Sequence, residues 1–301
     1  MIGKLAGRAA LLAAGCVAYG TFVESRSFRL RRVSVPVLPA GAPQLRVLHI
    51  SDAHLLVRNR ARARFISTLA ALEPDLVVNT GDNVAEAGAI DTLAEALGRL
   101  LDVPGVFVMG SNDYSGPRFS NPLRYVVRPT TRDGVTDANP IPTQRLRTAL
   151  SRGGWIDLTQ ARASLRLQGV SLDLRGTDDA HLGLDHYALV SGPPEAGSDL
   201  AIGVTHAPYR RVLDAMTRDG VQLIFAGHTH GGQVCVPGYG ALTTNCDLPT
   251  DQVKGLSHHQ ADDKSSWLHV SAGLGMSPMA PYRFACPPEA TLLTLTPGTF
   301  R

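Results

Sequence analysis

Five short apolar runs, each ending in an aspartate, asparagine or histidine, constrain this chain more than any other feature. They are 45–50 (LRVLHI) ahead of Asp52 and His54, 76–80 (LVVNT) ahead of Asp82, and 106–110 (VFVMG) ahead of Asn112 and Asp113. The last two are 200–204 (LAIGV) ahead of His206, and 222–226 (QLIFA) ahead of His228 and His230. Continuous apolar runs of this length, bounded by turn residues, read as buried strands. Helical spacing over 60–72 and 85–101 separates the first three, so the chain opens β-α-β-α-β, the rhythm of a layered α/β sheet. Helices are expected at 143–152 and 208–217. Strands are expected at 163–174, 186–190, 232–236, 267–272 and 290–295. Residues 33–44 are Pro-rich and read as a linker or an edge strand.

At 301 residues, with 44% apolar and 18% charged side chains, the chain can bury a large core without staples. The net charge of +3 and the 6% aromatic content give no basic stripe and no stacking platform, which argues against nucleic acid. Cys16, Cys235, Cys246 and Cys286 form no CxxC pair, so a thiolate zinc site is not expected. Cys235 and Cys246 could pair outside the cytosol, but free thiols are the expectation.

Residues 9–23 (AALLAAGCVAYGTFV) follow Lys4 and Arg8 like the apolar part of an export signal, yet fall short of the roughly 20 residues of a membrane span. Arg26, Arg29, Arg31 and Arg32 follow, which would hold that flank on the cytoplasmic side. Three readings stay open: an anchor or uncleaved signal, a cleaved signal, and a helix packed on the domain. Residues 1–32 read as the anchor or signal-like segment and 33–301 as the domain. The expected location is the membrane, with sidedness open and the cytoplasm as the alternative. Within the domain, residues 114–142 carry five prolines and no clear element, and loops of that kind often act as lids. Arg118 and Arg124 on this loop are candidates to grip phosphate.

Ligands in open α/β sheets bind beyond the carboxyl ends of strands, so five segments can converge on one place. Each motif alone is a common turn; the joint occurrence is what carries weight. The set of imidazoles, carboxylates and one carboxamide suits Mn, Fe or Zn. A carboxylate such as Asp82 can bridge two cations, and two cations can clamp the attacking and leaving oxygens of phosphoryl transfer. Asp178 and Asp179, His181, His186, His269 and the pair His258-His259 are read as turn, surface or structural residues.

The series D-x-H, G-D, G-S-N-D, H and G-H-T-H-G-G-Q resembles the calcineurin-like metallophosphoesterase superfamily. With Gly273-Leu274-Gly275, Tyr282-Arg283-Phe284 and Pro288-Glu289 it is similar to a bacterial membrane-associated phosphodiesterase branch. The resemblance spans 46 to about 296. It implies two mixed β-sheets packed face to face with helices outside, an α/β/β/α sandwich. It implies two divalent metal ions: Asp52, His54 and His230 on one, Asn112, His206 and His228 on the other, and Asp82 on both. The implied activity is phosphodiester or phosphomonoester hydrolysis by a metal-bound hydroxide, on a phosphate-ester substrate; a membrane anchor would suggest a lipid-linked or envelope ester. His206 and His228 would also hold phosphate oxygens, and Asp113 would stand at the leaving oxygen. A nuclease and a non-catalytic metal-binding scaffold are the competing readings.

One position departs from that pattern. Asp113 stands where many members carry a histidine, and Ser111 separates Gly110 from Asn112. Nearby cations are expected to keep Asp113 anionic and a poor general acid.

Overall fold

The computed structural model describes residues 2–117, 135 and 139–298. Strands β1 (Arg29–Leu38), β2 (Leu45–Ile50), β3 (Leu76–Asn79), β4 (Gly105–Phe107), β5 (Ile156–Asp157) and β14 (Glu289–Pro297) form one mixed sheet, in the order β1-β14-β2-β3-β4-β5. The second sheet holds β6 (Ala161–Leu167), β7 (Val170–Gly176), β8 (Leu200–Val204), β9 (Leu223–Ala226), β12 (Gly255–Ala261) and β13 (Lys264–Val270), in the order β12-β13-β9-β8-β7-β6. A small hairpin, β10 (Cys235–Val236) and β11 (Gly240–Ala241), stands apart from both.

Strand alternation decides the layers. Leu45, Val47, Leu76, Val78 and Val106 turn inward to meet Leu172, Leu174, Ile202 and Phe225 of the other sheet. Leu48, Ile50, Val77 and Phe107 turn outward under α2 (Arg60–Thr68), α3 (Ala89–Leu97) and α4 (Thr143–Ser151), through Ile66, Leu93 and Leu146. On the far side Ile224, Leu268 and Val270 are covered by Val212, Leu213 and Met216 of α5 (Arg210–Arg218). The result is the expected α/β/β/α sandwich.

Several local expectations change. Strand β1 crosses the expected boundary at 32/33: it pairs with β14 from Arg29 onward, and Pro36 is tolerated because β1 is an edge strand. Helix α1 (Ile2–Phe22) precedes it, and among the described residues no helix is long and apolar enough to cross a membrane. Residues 187–189 form a 3-10 turn rather than a strand, and only 235–236 of the expected strand 232–236 is extended. His258 and His259, expected in a surface loop, lie on β12, where His259 is buried and bonds Asp214 at 2.7 Å. All four cysteines are free.

Candidate metal centre

The chain reverses sharply as it leaves these strands. Asp52, His54, Asp82, His228 and His230 all adopt positive φ, at 49°, 39°, 54°, 69° and 51°. That conformation is costly for residues with a Cβ and is retained where surrounding structure enforces it, often at functional sites. Backbone hydrogen bonds enforce it here: Asp52 N–H donates to Gly81 O at 2.9 Å, His54 N–H to Asp82 O at 2.9 Å, and Gly275 N–H to Asp52 O at 2.6 Å. Two glycines admit the close approach. A Cβ at Gly227 would lie 2.0 Å from Ser51 Oγ, and one at Gly110 would lie 2.4 Å from Asp82 Oδ1.

All seven residues expected at the metals meet at this end of the sheets. His54 Nε2 lies 3.2 Å from His230 Nε2 and 3.3 Å from Asp82 Oδ2. The same Asp82 oxygen lies 3.5 Å from His206 Nε2. Asn112 donates its backbone N–H to Asp82 Oδ1 and its amide to Asp82 Oδ2, both at 2.7 Å. Asp52 Oδ1 is 3.8 Å from His230 Nε2, and both Asp52 oxygens accept from His228 N–H at 3.0 and 3.1 Å. The His228 ring packs edge-on to His206, centroids 5.3 Å apart. Two sets of donors, Asp52–His54–His230 and Asp52–Asp82–His206, each gather ligand atoms within 4.8 Å of one another.

The ring orientations fit a cation. His206 Nδ1–H donates to Thr80 O at 2.7 Å, so once the ring is neutral its lone pair is at Nε2, buried 3.5 Å from Asp82 Oδ2. His230 Nδ1 lies 3.2 Å from Gly275 O and 3.4 Å from Arg283 Nη2, and His228 Nε2 lies 3.2 Å from both Asn245 O and Asn245 Nδ2; a proton placed toward the carbonyl in each case leaves the other ring nitrogen for a cation. His54 differs, since its Nδ1 is buried with no partner among the described residues. Burial lowers the pKa of His54 to about 4, and holds His228 and His230 well below the usual imidazole range. Burial also opposes a charge on His206, but the Asp82 carboxylate outweighs it and lifts His206 well above that range. Burial raises Asp52 to about 6. Asp82 stays low, because His206 and His54 overcome its burial.

Other side chains support these ligands. Arg283 is fully buried and its guanidinium donates to Ala272 O at 2.7 Å, Cys286 O at 3.2 Å and Gly275 O. Arg62 donates to Ala53 O at 2.6 Å and His54 O at 2.9 Å. A polar chain also runs out of the inter-sheet core. Ser51 Oγ–H donates to Asp52 Oδ2, and Thr80 Oγ–H to Ser51 Oγ at 2.6 Å. With both hydroxyl protons used, His49 Nε2 must donate to Thr80 Oγ1 at 3.0 Å. A neutral His49 then accepts at Nδ1 from His269 Nδ1–H at 2.8 Å. Sequence reasoning read His269 as structural and did not single out His49; no local spacing links the two.

Asp113 lies beside the cluster with its oxygens occupied. Its fully buried carboxylate accepts from Asn83 N–H at 2.7 Å, Asn83 Nδ2 at 3.1 Å and Gly110 N–H at 3.0 Å, tying two site loops together. Burial raises its pKa to about 7 against the pull of those donors. Asp179 occupies a turn, accepting His181 N–H at 2.9 Å, but its Oδ2 is buried with no partner among the described residues. The His181 ring packs against His228 at a 44° tilt, centroids 4.5 Å apart, so neither residue is remote from the site. Arg118 and Arg124, and most of the expected lid at 114–142, lie outside the described residues. The described ends of that loop meet, with Gly116 N–H on Asn139 O at 2.7 Å and Ile141 N–H on Tyr114 O at 3.0 Å.

Two face-packed mixed sheets with an aspartate–histidine cluster at their strand ends define a four-layer α/β protein with a metal-type donor site. The chain belongs to the calcineurin-like phosphoesterase family, whose model matches residues 45–232. It is 26% identical to the uncharacterized metallophosphoesterase YkuE of Bacillus subtilis over 306 aligned positions, covering 98% of this chain and 94% of that one. A Bos taurus transmembrane protein with metallophosphoesterase domain is 27% identical over 217 positions, 67% of this chain and 44% of that one. Among solved structures, TT1561 of Thermus thermophilus is 14% identical with a TM-score of 0.45, covering 77% of this chain and 91% of that one.

Proposed function

We propose that the protein hydrolyses phosphoric esters with two divalent cations held at these strand ends. Asp52, His54 and His230 are assigned to one cation, Asn112, His206 and His228 to the other, and Asp82 to both. The observation that carries this reading is the single Asp82 oxygen flanked at 3.3 Å and 3.5 Å by imidazole nitrogens from the two sheets. Bound Mn, Fe or Zn would supply Lewis-acid activation of water and neutralise charge on phosphate.

The chain's own residues do the rest. Thr80 O orients the His206 ring, and Asn112 Nδ2 donates to Asp82 Oδ2 at 2.7 Å and to Ser111 Oγ at 3.4 Å, which leaves its carbonyl oxygen to ligate a cation. Asp113 is assigned to positioning, since three N–H groups occupy its oxygens. Expulsion of the leaving oxygen then depends on that group's own acidity. Arg118 and Arg124 are proposed to grip phosphate, because the loop carrying them leaves and returns beside Asp113. Helix α1, with residues 9–23, is proposed to associate with membrane, which favours a lipid-linked ester.

The test is metal analysis together with hydrolysis of an aryl phosphodiester, with and without added Mn. About two cations per chain and Mn-dependent turnover are expected. A stoichiometry that stays at one, or turnover indifferent to chelator, refutes the two-cation reading. Two bound cations with no turnover on any phosphoester would leave a scaffold.

A further inference from the structure

Twelve large hydrophobic side chains are exposed among the described residues, and nine of them gather on three segments. Five lie on α1 or at its end. The other four are Val236, Tyr239 and Leu242 of the β10–β11 hairpin and Met279 of the loop that follows β13.

These segments are joined. Tyr19 of α1 meets Phe284 edge-on at 6.2 Å, and Arg283 N–H bonds Gly20 O at 3.3 Å. Phe284 bridges to Val234, its N–H bonds Gln233 O at 3.0 Å, and Gln233 Nε2 bonds Ala280 O at 3.0 Å. The hairpin and Met279 stretches have no charge of their own: residues 231–246 and 270–282 contain no Asp, Glu, Lys or Arg. Exposed positive charge accompanies the helix, with Arg8 on α1 and Arg26, Arg29 and Arg32 after it, while residues 2–22 hold no acid. Exposed Asp247, one residue past the hairpin stretch, accepts from Arg210 N–H at 2.8 Å; an apolar face with cations on and just after α1 matches the interface of an anionic bilayer.

The hairpin also brackets the metal centre. It starts five residues after His230, a side chain 15% exposed where Asp52, His54, Asp82 and His206 are at most 3% exposed. It returns to Asn245, which bonds His228. A Cβ at Gly232 would lie 2.4 Å from Ala241 Cβ, so the hairpin packs directly on the His-Gly-Gly turn.

We propose that the β10–β11 hairpin and the Met279 loop form, with α1, one surface that seats on an anionic lipid bilayer and sets the His230 side of the metal centre at headgroup level. This rests on the membrane association proposed for residues 9–23 and adds a second contact, at the site itself. Tyr239, at 76% exposure, is suited to the headgroup region, where aromatic rings with a polar tip collect.

The experiment is flotation of the 301-residue chain with vesicles of phosphatidylethanolamine and phosphatidylglycerol, and with phosphatidylcholine alone. Aryl phosphodiester hydrolysis in solution checks the fold of each variant. The wild type should float with the anionic vesicles. Tyr239→Asp with Leu242→Asp should lower its partition roughly tenfold with solution hydrolysis unchanged, since each charge must enter the interface. Met279→Asp alone should act in the same direction, and Leu189→Asp, on an exposed site elsewhere, should not. If the wild type does not float, the membrane reading falls and this inference with it. If it floats and both hairpin-side variants float equally, α1 alone makes the contact and the inference falls by itself. If the wild type is a dimer that the hairpin variants dissociate, a second copy covers the face and the bilayer proposal is overturned.

Discussion

Replacing Arg283 by methionine tests how the metal centre is held. The guanidinium is wholly buried, has no carboxylate hydrogen-bonded to it among the described residues, and is solvated by backbone carbonyls. Burial lowers its pKa below the usual arginine value. Of its acceptors, Gly273 O also receives Glu289 N–H at 3.0 Å, and Gly275 O also receives His230 Nδ1–H. Ala272 O and Cys286 O rely on the guanidinium. Two buried carbonyls left without donors cost about 1–3 kcal/mol each, and relief of a buried charge offsets part of that, for a net loss of roughly 2–4 kcal/mol. A domain stable by about 5–15 kcal/mol stays folded. Loop 272–275 would then loosen, and with it the Leu274 N–H to Ser51 O bond at 2.9 Å, the Gly275 N–H to Asp52 O bond at 2.6 Å, and the His230 tautomer. Loss of such an outer support typically costs about 10–100-fold in metal affinity. Urea unfolding in chelator measures the first effect and calorimetric Mn titration the second. Arg283→Lys should fall between, because one ammonium cannot reach carbonyls on both sides of the loop. Unchanged Mn affinity in a destabilised Arg283→Met would make Arg283 a pin for the fold alone. Unchanged stability would refute the carbonyl accounting.

Gly227→Ala should empty the site with little change elsewhere, since its Cβ would lie 2.0 Å from Ser51 Oγ and 2.5 Å from Asp52 Oδ2. Overpacking of this kind costs about 1–3 kcal/mol, and metal content after Mn loading should fall well below wild type; full loading would show that the loop can yield. Asp113→Asn should lose about 1–3 kcal/mol, because an amide donor would face an N–H donor, with the rate dependence on leaving-group pKa unchanged. A flat wild-type plot that steepens in the variant would make Asp113 the acid after all. For pH, His54 has a folded pKa of about 4, below its unfolded value near 6.5. The unfolded chain therefore takes up the proton first, and metal-free stability should fall between about pH 6.5 and 4, with a slope approaching about 1.4 kcal/mol per unit for each such histidine. His206 runs the other way: its raised pKa means that Mn must displace a proton, so Mn affinity should rise with pH up to that value. Calorimetry in buffers of different ionisation enthalpy would count that proton, and a count of zero would refute the His206–Asp82 pair.

The layers were legible because the strands of this fold are short and strongly apolar. Runs such as 45–50 and 222–226 leave few alternatives to a buried strand, and the helices beside them follow a 3.6-residue period. Strand β12 was not legible for the opposite reason. Its sequence, GLSHHQA, is polar, and it is a strand because it pairs with β13 at the edge of a sheet and places His259 against Asp214 of α5. Residues 187–189 failed in the other direction. An apolar stretch there is too short to separate a strand from a 3-10 turn, and the turn is set by Tyr187, whose hydroxyl bonds Asp219 at 2.8 Å.

The same division runs through the site. Each expected ligand stands close behind a strand end, so local sequence announces it, and the fold needs only to bring the ends together. The supports are long-range and leave no local trace. Arg283 reaches back to His230 across 53 positions, and His49 meets His269 across 220. In the sequence His49 looks like a polar flaw in an apolar strand. Alternation puts it on the same face as Leu45 and Val47, between the sheets, and His269 faces it from β13. Two buried imidazoles there would be costly without partners. Their bond to each other, and onward through Thr80 and Ser51, carries every donor toward Asp52 Oδ2. That oxygen is thereby committed as an acceptor, and Oδ1 is the one left beside His54 and His230. The two sheets are thus tied through the core to a single carboxylate, and the orientation of that carboxylate is a property of their packing.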